Sequence, residues 1–313
     1  MKKRKDTTTT TTTNVVKRSD KRDLEASVVR NISGKRDLES SNVKKLKRDF
    51  KDTISLTFGD RAENHAGMQI LGKLADSGFT HKDLLNMSNE FEKKGCKCEL
   101  VKLNELLPPS TTESEDAYFL IIRDGLAKLV DNEKAADKLY KEQRKLDFDK
   151  KAKMRGRVVN KRARWNLCFD KNSQEPDYHM GKGRVVAFSD CPKLNYVRHK
   201  LPLLLGPKAK NLCAELNMYY DLSKCGIGFH GDSERRIVVC VRLGASMPMD
   251  FQWFQRSLPV GKRFNFTAHH GDIYAMSEKA TGFDWKRRSI LTLRHAAGCK
   301  KFRTIVVKKK SDN

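Results

Sequence analysis

The stretch NMYYDLSKCGIGFHGDSERRIVVCVRLG, residues 217–244, decides how this chain is read. It opens with an alternating aromatic run, breaks at glycines, and resumes as the strand-like RRIVVCVRLG. His230 and Asp232 stand two residues apart at the start of that strand. Side chains i and i+2 of a strand share one face, so an imidazole and a carboxylate in that relation converge on one ion. Such a pair supplies two corners of a non-haem iron facial triad, although an isolated H-x-D equally suits a surface hydrogen bond. GIGFHG also spells G-x-G-x-x-G, but a strand follows it where a dinucleotide loop requires a helix.

Working outward, strand patterns dominate beyond Met154: RVVN, WNLCFD, GRVVAFSD, FQWFQRS, KRFNFTAH, DIYAMS and SILTLRH, separated by Gly, Pro and charged turns. Only KLNYVRHKLPLLL and AKNLCAEL read as helical there. Many short strands imply a sandwich, barrel or jelly roll over 155–305. Upstream, residues 53–130 read as a small α/β subdomain. It has a helix in GDRAENHAGMQILGKLADSGF, a second helix capped by Thr80, and strands CELVKL and AYFLIIRDGL. A charged helix over 131–154 links the two parts. The fold class expected is therefore α+β.

Residues 1–52 hold Lys2, Lys3, Arg4 and Lys5, a threonine run from Thr7 to Thr13, and KRDLE twice, too little apolar surface to offset ordering entropy. They read as a disordered basic tail, with a short basic tail at 306–313. The basic cluster suits a nuclear-localisation signal, a nonspecific nucleic-acid arm, or an extension without a task. Across all 313 residues, 64 Lys+Arg face 39 Asp+Glu, and the net charge of +25 favours polyanionic partners, nucleic acid first. No apolar run approaches the ~20 residues of a membrane span, and no secretory signal opens the chain, so a soluble intracellular protein of nucleus or cytoplasm is expected. Eight cysteines without regular spacing read as reduced thiols.

Taken with the closing segment GDIYAMSEKATGFDWKRRSILTLRHAAG, the opening stretch resembles the AlkB-like 2-oxoglutarate- and Fe(II)-dependent dioxygenases. The resemblance covers roughly residues 155–300. It rests on N-x-Y followed by H-x-D, then a tryptophan turn and R-x-S-x-T-x-R. Phrases such as HGDSERR and MSEKA also look like uncharacterised giant-virus and protist members of that family, which implies a viral protein acting in its host cell. The resemblance implies a double-stranded β-helix (jelly-roll) core, with Fe(II) on His230 and Asp232. Asn217, Tyr219, Arg288 and Arg294 would hold 2-oxoglutarate. Arg288 and Arg294 also suit ordinary salt bridges to Asp272 or Asp284. The implied reaction is oxidative demethylation or hydroxylation of an alkylated base in DNA or RNA, as in DNA repair.

The pattern departs from the family at the third metal ligand, where Arg287 follows the tryptophan turn and a guanidinium has no lone pair to donate. Three readings stay open. Another histidine, His295, or His269 or His270, completes the site; two protein ligands suffice; or the fold survives as a catalytically inactive nucleic-acid-binding jelly roll. Arg155, Arg157, Lys161, Arg162 and Arg164, preceding Trp165, read as a nucleic-acid approach surface. Trp165 itself fits the core side of the alternating strand.

Overall fold

The computed structural model describes residues 49–111 and 114–306. The basic tails expected at 1–52 and 306–313 lie almost wholly outside these residues. These described residues fall within one compact unit. Strands β1 (Thr53–Gly59), β2 (Arg61–Glu63) and β3 (Ile70–Gly72) precede helix α1 (His81–Lys93). There follow β4 (Cys98–Lys102), β5 (Tyr118–Ile122), α2 (Gly125–Leu129), α3 (Ala135–Gln143), β6 (Lys151–Met154), β7 (Arg157–Asn160), β8 (Trp165–Asp170), β9 (Val185–Ala187) and α4 (Pro192–Leu205). The last elements are β10 (Cys213–Tyr219), β11 (Gly226–His230), β12 (Val238–Gly244), β13 (Met247–Gln255), β14 (Leu258–Ala268), β15 (Ile273–Met276), α5 (Glu278–Thr281), β16 (Thr292–Gly298) and α6 (Lys300–Arg303).

This is an α+β structure in which two sheets dominate. The large sheet runs β4-β5-β15-β12-β1-β10-β8-β9 and the small one β11-β16-β13-β14. From β10 the chain alternates between them: β10, β12 and β15 enter the large sheet, and β11, the β13–β14 hairpin and β16 enter the small one.

Period-two alternation divides each large-sheet strand between two cores. Ile54, Leu56 and Phe58 of β1, Leu216 and Met218 of β10, and Val239, Val241 and Leu243 of β12 pack with Leu84, Phe91, Leu139 and Leu201 from the helices. The opposite faces of β5, β12 and β15 pack Phe119, Cys240 and Tyr274 against Phe251 and Trp253 of the small sheet. Trp253 is wholly buried and its indole N–H donates to Leu103 O at 2.8 Å. Toward β10 this inner face changes character. Ser55, Thr57, Glu215, Asn217 and Arg242 replace apolar residues and line a cavity.

The N-terminal half departs from expectation in three places. Residues 59–79 form the β2–β3 hairpin, with Arg61 opposite Gly72 and Glu63 opposite Ile70, where a helix was expected. Gly67 and Gly72 sit at φ +85° and +81°, and each glycine costs a helix interior about 1 kcal/mol. The linking helix ends at Gln143; β6 and β7 turn at Arg155–Gly156, both at positive φ as a two-residue hairpin turn requires. The expected separate subdomain is absorbed, because β1, β4 and β5 are strands of the large sheet and β5 is buried along its whole length. AKNLCAEL likewise supplies the start of β10, not a helix.

Thr80 caps α1 in a reciprocal box: its Oγ1 accepts from Asp83 N at 3.2 Å, and Asp83 Oδ2 accepts from Thr80 N at 2.8 Å. All eight cysteines are free thiols. Among the described residues no helix is long and apolar enough to cross a membrane.

Candidate metal centre

His230 ends β11, and Asp232 follows in the turn beyond it, so the pair is set by a strand end and a turn, not by alternation along one strand. Gly231 between them lies against the segment after α5. A Cβ there would meet Gly282 O at 2.2 Å and Trp285 Cβ at 2.8 Å, so only glycine permits this approach. Asp232 N donates to Thr281 O at 2.9 Å and fixes the turn.

Antiparallel pairing of β11 with β16 sets His295 directly opposite His230, with ring centroids 4.5 Å apart. Asp232 Oδ1 lies 3.5 Å from His230 Nε2 and 3.7 Å from His295 Nε2. One donor atom from each of the three residues falls within 4.8 Å of the others. Two donors about 2.1 Å from one ion, at a right angle, sit roughly 3 Å apart, so a small contraction seats an ion.

Hydrogen bonds and charge orient the three donors. His230 Nδ1–H is shared by the carbonyls of Gly228 (2.8 Å) and His295 (3.0 Å), which turns the Nε2 edge of the ring toward Asp232. Burial, with the neighbouring His230, pushes His295 down to about 3, so its imidazole is neutral. Burial alone would raise the Asp232 carboxyl, but the His230 hydrogen bond and the charge of Arg235 hold it well below the usual carboxylate range. Arg235 is itself buried between Glu215 and Glu234.

The three residues open onto a cavity of about 620 Å³, within the usual size of small-molecule sites. Asn217 and Tyr219 line it from β10. Asn217 Oδ1 accepts from Arg164 Nε at 2.7 Å and from Asn166 Nδ2, and its Nδ2 donates to Glu215 Oε1 at 2.9 Å.

Arg288 and Arg294 are not brought to the cavity. Arg288 is exposed in the loop before β16. Arg294 adjoins His295 on β16, so alternation sends it to the outer face of the small sheet, over Phe254 at 4.3 Å and Trp285 at 5.3 Å. Asp272 and Asp284 are engaged by Arg123 and Lys279, so the salt-bridge alternative fails as well. His269 bonds Ser246, and His270 accepts from Gly244 N; neither lines the cavity.

Of the arginines that do line it, Arg61, Arg164, Arg235 and Arg242, the last, on β12, is wholly buried. Its Nε and Nη1 have no hydrogen-bond partner among the described residues. Its sequence signal was a lone arginine inside the otherwise apolar IVVCVRLG.

The five basic residues expected on one approach surface divide. Arg155 and Arg157 are exposed on the β6–β7 hairpin, and Arg162 is exposed nearby. Lys161 turns inward, donating to Asn64 Oδ1 (2.6 Å) and Asn166 Oδ1 (3.0 Å), and burial lowers it to about 8. Arg164 lines the cavity. Trp165 is half-buried, stacked on Tyr220 with centroids 4.2 Å apart beneath Lys150.

No protein-family model matches the sequence. A protein of Acanthamoeba polyphaga mimivirus described as "Uncharacterized protein R156" is 49% identical over 255 residues, spanning 81% of this chain and 98% of the relative. At that identity and coverage the chain belongs to the family of that mimivirus protein.

Proposed function

We propose that this chain is a 2-oxoglutarate- and Fe(II)-dependent oxygenase of AlkB-like, jelly-roll build that acts on nucleic acid. The observation that carries the reading is the convergence of His230, Asp232 and His295 at the wall of one cavity. Two imidazoles and one carboxylate on one side of an ion are the donor set of non-haem Fe(II) oxygenases, and they leave positions open for cosubstrate and O₂. Loaded with iron and 2-oxoglutarate, such a site oxidises a C–H bond while the cosubstrate is decarboxylated to succinate.

The chain's own residues prepare that site. The Gly228 and His295 carbonyls fix the ring of His230, and the His230 hydrogen bond together with the charge of Arg235 outweighs the burial that would raise the Asp232 carboxyl. The apolar side of the cavity, Met249, Met276 and Val238, excludes water. His295 supplies the third donor that Arg287 cannot, and this favours an enzyme over a binding-only jelly roll.

The path of the chain supports the jelly-roll reading. In an alternating two-sheet winding, the strand after β16 would enter the large sheet between β10 and β12. That slot is occupied by β1, in register with both neighbours. The eight strands are then β10 to β16 and β1, with the closing strand drawn from the N-terminal side. Exposed Arg155, Arg157 and Arg162 are placed to hold phosphates while an unstacked base enters the cavity.

The test is anaerobic titration with Fe(II) and 2-oxoglutarate, read by the weak visible charge-transfer band, followed by succinate release in air. The wild type is expected to give both, and His230→Ala neither. No band, and no succinate above the His230→Ala background, refutes the enzyme. Binding to mixed oligonucleotides is expected to weaken steeply with added salt, and salt-independent or absent binding refutes the nucleic-acid assignment.

A further inference from the structure

A guanidinium cut off from water needs an anion beside it, because an uncompensated buried charge is strongly unfavourable. Arg242 is 0% exposed, and its backbone is pinned by Arg242 N to Asp272 O (2.9 Å) and Gly271 N to Arg242 O (2.8 Å). Its side chain cannot leave the cavity without unpairing β12. The nearest carboxylates of the lining are committed elsewhere. Glu215 and Glu234 hold Arg235, Asp232 faces the two histidines, and Glu63 accepts from Gly67 N at 2.7 Å. Arg242 Nε and Nη1 are left without partners.

Strand register places suitable company around it. Ser55 of β1 lies opposite Arg242 on one side and opposite Asn217 on the other, so the three side chains form one row across the inner face. Tyr219 and Tyr274 bring phenol hydroxyls into the same lining, and Met249 and Met276 bring apolar surface. A fork of N–H donors flanked by hydroxyls in an apolar setting is a seat for a carboxylate.

We propose that Arg242, flanked by Ser55, Tyr219 and Tyr274, seats the distal carboxylate of a 2-oxo dicarboxylate whose other end lies at His230, Asp232 and His295. The assignment rests on the oxygenase reading. It takes from Arg288 and Arg294 the role that the sequence resemblance implied, and it makes a dicarboxylate the required cosubstrate class.

The experiment is calorimetric titration of the Mn(II)-loaded full chain with 2-oxoglutarate and with 2-oxopentanoate, which keeps the chain length but lacks the distal carboxylate. The wild type is expected to prefer 2-oxoglutarate by about 10- to 100-fold, the worth of a charge-assisted contact. In Arg242→Met the ratio is expected to collapse toward one through loss of 2-oxoglutarate affinity alone. Arg242→Lys keeps part of it, and Arg288→Ala and Arg294→Ala keep all of it. A ratio preserved in Arg242→Met, or lost in Arg294→Ala, overturns the assignment while leaving the oxygenase reading standing. A wild-type ratio near one overturns it without any variant. A wild type that takes up no Mn(II) sinks the oxygenase reading itself.

Discussion

Replacing Arg242 with methionine is expected to stabilise the metal-free, ligand-free protein. Two buried donors without partners each carry a desolvation cost of about 1–3 kcal/mol, and exchanging buried ionic groups for apolar side chains of similar volume often gains about 1–4 kcal/mol. Methionine is unbranched and adaptable, and the same cavity lining already carries the thioethers of Met249 and Met276, so a good fit loses little packing. A net gain of about 2 kcal/mol follows. In a unit of this size that is a rise in Tm of roughly 4–8 °C. The assay is thermal and urea unfolding in EDTA, repeated with Mn(II) and 2-oxoglutarate. Mn(II) is expected to raise the Tm of both proteins, and 2-oxoglutarate added to the Mn(II)-loaded protein to raise that of the wild type further than that of the variant, since a bound ligand stabilises by mass action according to its affinity. If the EDTA-treated variant is less stable than the wild type by about 2 kcal/mol or more, Arg242 is a satisfied structural strut. The argument from its empty donors then fails.

His295→Ala is expected to weaken Mn(II) or Fe(II) binding at least about 100-fold, beyond the loss usual for an outer-shell partner, whereas His269→Ala leaves it unchanged; equal affinities for the two variants would remove His295 from the centre. Gly231→Ala forces a Cβ onto the Gly282 carbonyl at 2.2 Å, so a loss of about 1–3 kcal/mol in stability and weaker metal uptake are expected, and wild-type behaviour would show that the turn is not constrained. Burial, with Glu234 and Glu215, pushes Glu63 up to about 7; its contribution to stability is full below pH 4.5 and lost as pH rises toward 7. Burial, then Lys161, pushes His65 down to about 4; its contribution is full above pH 6.5 and lost as pH falls toward 4. The two oppose each other between pH 4.5 and 6.5, so Glu63→Gln is expected to leave a stability that rises with pH there and His65→Gln one that falls; parallel profiles in urea unfolding would refute both assignments.

Local features of the chain were legible because their causes are local. WNLCFD forms β8 over its full length, Thr80 and Asp83 close their box across three residues, and His230 and Asp232 are neighbours whichever strands surround them. Readings failed where a local pattern had two outcomes. Residues 59–79 carry helical spacing, but the glycines at 67 and 72 allow a hairpin, and pairing with the rest of the structure selects it. Arg288 and Arg294 matched a motif by spacing, yet one is exposed and the other faces away from the cavity.

What the sequence by itself determined was the supply of strands, the alternation that gives each an apolar face, and the adjacency of His230 and Asp232. Which strands become neighbours is a different matter, because backbone hydrogen bonds are alike for any pair and only the packing of whole faces chooses between them. That choice inserts β1 between β10 and β12 and aligns Ser55 with Asn217 and Arg242. It lays β16 beside β11, so that His295 reaches Asp232 from 63 positions further along the chain.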